Sequence, residues 1–198
     1  MNVALIDYGV GNLHSLAKGI EAGGATVQIE PDPLRALTAD AIVLPGVGAF
    51  GAAATRLAPA LSALRAELER GKPCLGICLG MQLLFDSSEE GTGEGVGMFR
   101  GKVMRLHSRR VPHMGWNVVE SGPDPLFDGV DNMFAYYANS YVAVPRNEQD
   151  VVAWTEYQDT RFAAAVHRAR TWGVQFHPEK SDRAGLQLIR NFLHEAAL

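Results

Sequence analysis

The chain has 198 residues, 18 of them basic and 22 acidic for a net charge of −4, and a chain of this length forms one domain burying about 70% of the surface it exposes when unfolded. The charges are interspersed rather than blocked, which excludes a basic footprint for nucleic acid, and no apolar run approaches the ~20 residues that cross a bilayer. The first residues read as a strand rather than a signal sequence, and two cysteines exclude a disulfide scaffold, so a soluble protein of the reducing cytoplasm is expected.

Residues 2–7 form a continuous apolar run ended by Tyr8-Gly-Val-Gly11, the mark of a first parallel strand buried on both faces. A helix follows, with Asn12 as N-cap, an apolar stripe of Leu13, Leu16, Ala17 and Ile20, and Gly23-Gly24 as its stop. Residues 26–29 and 41–44 read as the second and third strands. Strand, helix, strand repeated in this way predicts an α/β fold, a doubly wound and mostly parallel sheet with helices on both faces. After the third strand comes Pro45-Gly-Val-Gly-Ala-Phe-Gly51, a glycine-rich loop at the carboxyl edge where such sheets bind ligands. It lacks the lysine and Ser/Thr of a phosphate loop, so its glycines serve close backbone approach or a flexible peptide. Leu57, Leu61, Leu64 and Leu68 then predict one amphipathic helix that ends near Gly71.

The chain is organised around its next stretch, residues 72–85. Cys74, Leu75 and Ile77 read as a short buried strand, while Met81, Leu84 and Phe85 recur at helical spacing. Cys78 sits at the junction, flanked by Gly76 and Gly80, the pattern of a nucleophile elbow with sulfur in place of the serine hydroxyl. Such a turn holds the nucleophile in a strained conformation above a helix N-terminus, which favours a thiolate and offers free N–H groups to an oxyanion. Cys74 lies inside the strand and reads as core. Two thiols four residues apart, without clustered histidines, make no metal site, and no cofactor is expected.

Residues 87–97, rich in glycine and acid, predict a mobile surface loop. Beyond them the pattern turns to β at 101–106, 116–120, 134–144, 151–156, 162–167 and 171–175, read as an antiparallel extension of the sheet within the same domain. A last helix carries Leu186, Ile189, Leu193 and Ala197 on one face. Before it stands Phe176-His-Pro-Glu-Lys-Ser181. Pro178 restricts His177 to an extended conformation at a strand terminus, and Glu179 is spaced to turn back on its imidazole and fix the tautomer.

With these motifs together the sequence resembles the class I glutamine amidotransferases, which carry a Cys-His-Glu triad on a flavodoxin-like sheet. It is most similar to their branch that serves imidazole glycerol phosphate synthase in histidine biosynthesis. The likeness is carried by Asp7-Tyr-Gly-Val-Gly-Asn-Leu13, Pro45-Gly-Val-Gly-Ala-Phe50, Gly76-Ile-Cys-Leu-Gly-Met-Gln82, Pro112-His-Met-Gly-Trp-Asn117 and Phe176-His-Pro-Glu-Lys-Ser181. One departure is Tyr136-Tyr-Ala-Asn-Ser-Tyr141, with Asn139 where the family commonly has histidine, so a role there that needs a titrating group is in doubt.

The resemblance implies hydrolysis of L-glutamine through a thioester on Cys78, with His177 as acid and base and Glu179 orienting it. Val47, Gly48 and Leu79 are the expected oxyanion donors, and Gly46, Gln82, Ser140 and Tyr141 the expected substrate contacts. The implied partner is a (β/α)8-barrel cyclase that receives the ammonia, with Asn12, Met114, Trp116 and Asn117 as docking candidates. Activity of the isolated chain is expected to be low and to rise once the partner carries its ligand. Two alternatives remain open from the sequence: a glutaminase for another synthase, such as the one making pyridoxal phosphate, and a barrel-binding scaffold that does not use its triad.

Overall fold

The computed structural model describes residues 1–9, 13–46, 48–130 and 133–198. In chain order its first half runs β1 (Asn2–Ile6), α1 (His14–Ala22), β2 (Thr26–Glu30), α2 (Pro33–Ala36), β3 (Ala41–Leu44), α3 (Phe50–Leu57), α4 (Leu61–Glu69), β4 (Cys74–Ile77) and α5 (Leu79–Leu83). The second half runs β5 (Ser87–Ser88), β6 (Gly101–Arg105), β7 (His113–Val118), β8 (Glu120–Ser121), β9 (Phe134–Asn139), β10 (Tyr141–Pro145), β11 (Val151–Tyr157), β12 (Thr160–Arg168), β13 (Thr171–Val174) and α6 (Asp182–Ala197).

The main sheet has the order β2-β1-β3-β4-β13-β12-β11-β8. Its pairs from β2 through β13 are parallel, and those from β13 out to β8 are antiparallel. The central strands β3, β4 and β13 are buried at every residue, which is why they read as unbroken apolar runs rather than alternating ones. Helices cover both faces. Leu13 ahead of α1 and the α1 residues Leu16, Ala17 and Ile20 pack with Leu188, Ile189, Phe192 and Leu193 of α6 on one side, and Phe50, Leu57, Leu64 and Leu68 pack with α5 on the other. Each such buried leucine, isoleucine or phenylalanine contributes about 1.5–3 kcal/mol. Among the described residues, no helix is long and apolar enough to cross a membrane.

The departures from the sequence reading have local causes. The helix expected through Leu57 to Leu68 is two helices, joined by a 3-10 turn at Ala58–Ala60 that contains Pro59. The expected N-cap Asn12 lies outside the described residues, and Leu13 occupies the cap without a side-chain bond. The run 134–144 divides at Ser140 into β9, which pairs with β7, and β10, which pairs with β6. Among the described residues only β8, β11 and β12 extend the main sheet antiparallel, and β13 joins it parallel to β4. Residues 87–97 are pinned rather than free: β5 pairs with β6, Val96 donates to the Leu83 carbonyl, and the Glu90 carboxylate accepts from the Phe50 N–H. On α6 the buried stripe is Gly185, Leu188, Ile189, Phe192 and Leu193, leaving Leu186 and Ala197 at the surface.

Candidate active site

The parallel pairing of β4 with β13 decides where the chemistry sits. Ile77 and Val174 are register partners at the carboxyl ends of these neighbouring strands, so the residues that come after them leave the sheet side by side. Cys78 is held at φ 48°, ψ −102°, a conformation L-residues avoid, at the head of α5. Its backbone N–H donates to the Val174 carbonyl at 2.7 Å. The turn is possible because its flanking glycines are small. A Cβ on Gly76 would lie 2.6 Å from the Gly80 carbonyl oxygen, and one on Gly80 only 1.9 Å from that of Leu44.

His177 is extended at φ −103°, ψ 95° ahead of the 3-10 turn Pro178–Lys180, as the proline requires. Strand β9 clamps it: the His177 N–H donates to the Tyr136 carbonyl, and the Ser181 hydroxyl donates to the His177 carbonyl while accepting from the Tyr136 N–H. The side chain is buried, with Nδ1 2.8 Å from Oε1 of Glu179 and the Cys78 thiol within hydrogen-bonding reach. Burial disfavours the imidazolium, but the hydrogen bonds and negative charge of Cys78 and Glu179 outweigh it and hold the His177 pKa well above that of free histidine. An imidazolium at His177 is the charge state this geometry favours.

A pocket of about 280 Å³ opens over this pair, lined by Gly46, Gly48, Leu79, Gln82, Ser140 and Tyr141 as well as Cys78 and His177. Glu179 stands behind His177, outside the lining. Gly46 closes one wall so tightly that a Cβ there would lie 2.9 Å from Cβ of Cys78 and 3.2 Å from Cε1 of His177. Gly48 has φ 113°, and Val47 lies outside the described residues. The Gln82 amide donates to the Tyr141 carbonyl and to the Gln175 side chain, each at 3.1 Å. Among the described residues, no group of His, Cys, Asp or Glu could hold a metal ion.

Four further residues belong to this site that the sequence reading did not single out or assigned no role. Glu90, inside the acidic loop, lines the pocket, as does Lys180, whose ammonium lies 5.6 Å from the Tyr136 ring centroid. Asn139 donates to the Tyr141 carbonyl and leaves its buried Oδ1 without a partner at the pocket wall. Gln175, fully buried, places Nε2 3.4 Å from Sγ of Cys78. A glutamine inside the apolar run Val174-Gln-Phe176 was the available signal, since a buried polar residue needs a reason.

The docking candidates form part of a ribbon. Along β7 and β9 the cross-strand pairs Met114–Ala138, Trp116–Tyr136 and Val118–Phe134 face outward, with Met114, Trp116, Val118 and Phe134 between 40% and 66% exposed. Ala138 also lines the pocket, so this apolar face begins at the rim of the site. Asn117 turns to the other side of the ribbon, where its amide donates to the Glu156 carbonyl. Asn12 lies outside the described residues.

The chain is similar over nearly its whole length to known proteins. Imidazole glycerol phosphate synthase subunit HisH of Pyrococcus furiosus is 45% identical over 193 residues, covering 96% of this chain and 97% of its own. The protein of the same name from Synechococcus elongatus is 45% identical over 204 residues, covering 98% and 94%. Two solved structures share the fold: one described as a glutamine amidotransferase, at TM-score 0.79 and 17% identity over 99% of both chains, and one described as PurLQS from Thermotoga maritima, at TM-score 0.73 and 19% identity over 98% and 97%. The model of the family Glutamine amidotransferase class-I matches residues 4–196, which takes in the elbow, the pocket and the His-Pro-Glu turn alike, and the chain belongs to that family.

Proposed function

We propose that this chain is the glutaminase subunit of an imidazole glycerol phosphate synthase, hydrolysing L-glutamine with Cys78, His177 and Glu179 and passing the ammonia to a (β/α)8-barrel cyclase. The observation that carries the reading is the convergence of Cys78 and His177 at the ends of paired parallel strands, over a pocket of amino-acid size. Near-full-length identity of 45% to two proteins named as that synthase's subunit HisH supports the choice of synthase over the pyridoxal phosphate alternative.

In this mechanism the Cys78 thiolate attacks the side-chain amide carbon of glutamine, and the carbonyl oxygen becomes an oxyanion. The Leu79 N–H, unpaired within the helix because it opens α5, is the donor to that oxyanion, joined by the loop that carries Gly48, and both residues line the pocket. His177 gives its proton to the departing ammonia, leaving a γ-glutamyl thioester, and then serves as base for the water that releases glutamate. Glu179 stabilises the imidazolium and fixes the ring. Glu90, on the pocket wall, supplies a carboxylate for the α-ammonium of glutamine, and Ser140 and Tyr141 offer further contacts from the same lining.

The apolar ribbon of Met114, Trp116, Val118 and Phe134 is the docking face for the barrel, positioned so that ammonia leaves from the pocket rim into the partner. A glutamate-release assay of the chain alone, with the barrel subunit, and with the barrel subunit carrying its ligand tests the proposal. Low activity alone and strong stimulation in the full assembly are expected. Equal turnover in all three would sink the coupling to a synthase, and turnover by Cys78→Ala would sink the nucleophile.

A further inference from the structure

A buried amide is costly unless both of its ends are paired, and Gln175 lies at 0% exposure between Val174 and Phe176. Its Oε1 accepts from Nε2 of Gln82 at 3.1 Å, and its Nε2 points at Sγ of Cys78 at 3.4 Å. An isolated amide could be turned end for end, exchanging oxygen and nitrogen. Here the Tyr141 carbonyl forbids it, because a carbonyl only accepts. Gln82 must therefore present its NH2 to Tyr141, the same NH2 reaches Gln175, and Gln175 must answer with oxygen and turn its own NH2 toward the sulfur. The second lone pair of the Tyr141 carbonyl is taken by Nδ2 of Asn139 at 3.0 Å, which anchors the chain further.

We propose that Gln175 is a positioning residue for the nucleophile: its amide N–H, given its direction by the Tyr141 carbonyl through Gln82, holds Sγ of Cys78 and favours the thiolate over the thiol. The inference rests on Cys78 being the nucleophile of the glutaminase reading. A thiolate accepts an N–H more strongly than a neutral thiol does, so the contact biases the charge state as well as the rotamer. A coupling results that neither residue alone suggests. Gln82 lines the substrate pocket and also fixes Gln175, so losing the Gln82 amide frees Gln175 to rotate its oxygen toward the sulfur, where it opposes the thiolate.

The test is the pH profile of Cys78 alkylation by iodoacetamide in the full chain, mapped by mass spectrometry to separate Cys78, which lines the pocket, from Cys74. Gln175→Met keeps the size and removes the donor. Its inflection is expected to move about one unit alkaline, with about tenfold slower alkylation at neutral pH and an unchanged melting midpoint. Gln82→Met, which touches no sulfur, is expected to shift the profile in the same direction by less. Superimposable profiles for a folded Gln175→Met and the parent chain would overturn the inference. If Gln175→Met does not fold, an unshifted profile in Gln82→Met overturns it instead. Alkylation needs no glutamine, so either failure leaves the glutaminase reading to be judged separately by glutamate release from Cys78→Ala.

Discussion

Nδ1 of His177 lies 2.8 Å from Oε1 of Glu179, a side-chain contact across a single proline. Residues two apart meet this way because Pro178 holds His177 extended and opens the turn Pro178–Lys180, which swings Glu179 back toward the ring. The other carboxylate oxygen, Oε2, is buried without a partner, as is Oδ1 of Asn139 at the pocket wall, and each carries a desolvation cost.

Replacing that charge separates its two effects. Glu179→Gln keeps the shape, removes the buried charge, and leaves the imidazolium without its counter-ion. Glutamate release is expected to fall roughly 10²- to 10⁴-fold, by analogy with the loss of the carboxylate in serine-protease triads, while the urea midpoint is unchanged or raised. Retained activity in the assembled enzyme would show that His177 needs no such orientation.

Two glycines near Cys78 are expected to fail differently when given a methyl group. Gly80→Ala puts Cβ 1.9 Å from the Leu44 carbonyl oxygen, at the carboxyl end of the central strand β3, and is expected to prevent folding. Gly46→Ala presses on the Ile77 carbonyl and on Cys78 and His177 at the pocket wall. It is expected to fold at a cost of about 1–3 kcal/mol and to lose more than about 100-fold in activity, because the reacting groups are pushed apart. Circular dichroism and glutamate release on the two variants check the contrast.

His113 makes the chain sensitive to acid away from the site. It is 2% exposed, stacked on Tyr157 and Tyr137 with ring centroids 4.0 and 4.6 Å away, and burial lowers its pKa to about 4. Above pH 6.5, the ordinary histidine value, both folded and unfolded chains are neutral there and no penalty arises. As the pH falls from 6.5 toward 4 only the unfolded chain takes the proton, so stability declines, by about 3 kcal/mol across the window. His113→Phe keeps the stack and removes the titration. Urea unfolding at pH 7 and pH 5 is expected to show a smaller acid loss than in the parent chain, and an identical loss would place the acid sensitivity elsewhere.

Trp116 is 52% exposed and meets Tyr136 edge-on across the ribbon. As part of the proposed docking face, Trp116→Glu is expected to change the stability of the free chain by no more than about 0.5 kcal/mol. Affinity for the barrel subunit should weaken by about 2 kcal/mol or more, roughly 30-fold, as measured by titration calorimetry. Undiminished binding would move the interface away from this ribbon.

The local sequence settled the elements that position the chemistry. Gly76 and Gly80 around Cys78 announce a turn that no larger residue permits, and Pro178 announces the conformation of His177, because both are constraints on the backbone of a few consecutive residues. The unbroken apolar runs at β1, β3 and β4 likewise announce a parallel sheet buried on both faces. What the sequence did not carry was pairing. Whether β13 lies beside β4, and in which direction, depends on which strand edge is free after the others have packed, and the spacing of 97 residues between Cys78 and Gln175 encodes nothing about it. That pairing turns a glutamine just past the end of β13 into a donor to sulfur, while other distant pairings hold Glu90 of the acidic loop at the pocket wall and split the run 134–144 between two sheets. Backbone constraints are local and can be read one residue at a time, whereas hydrogen-bond partners far apart in sequence exist only once the whole sheet has closed.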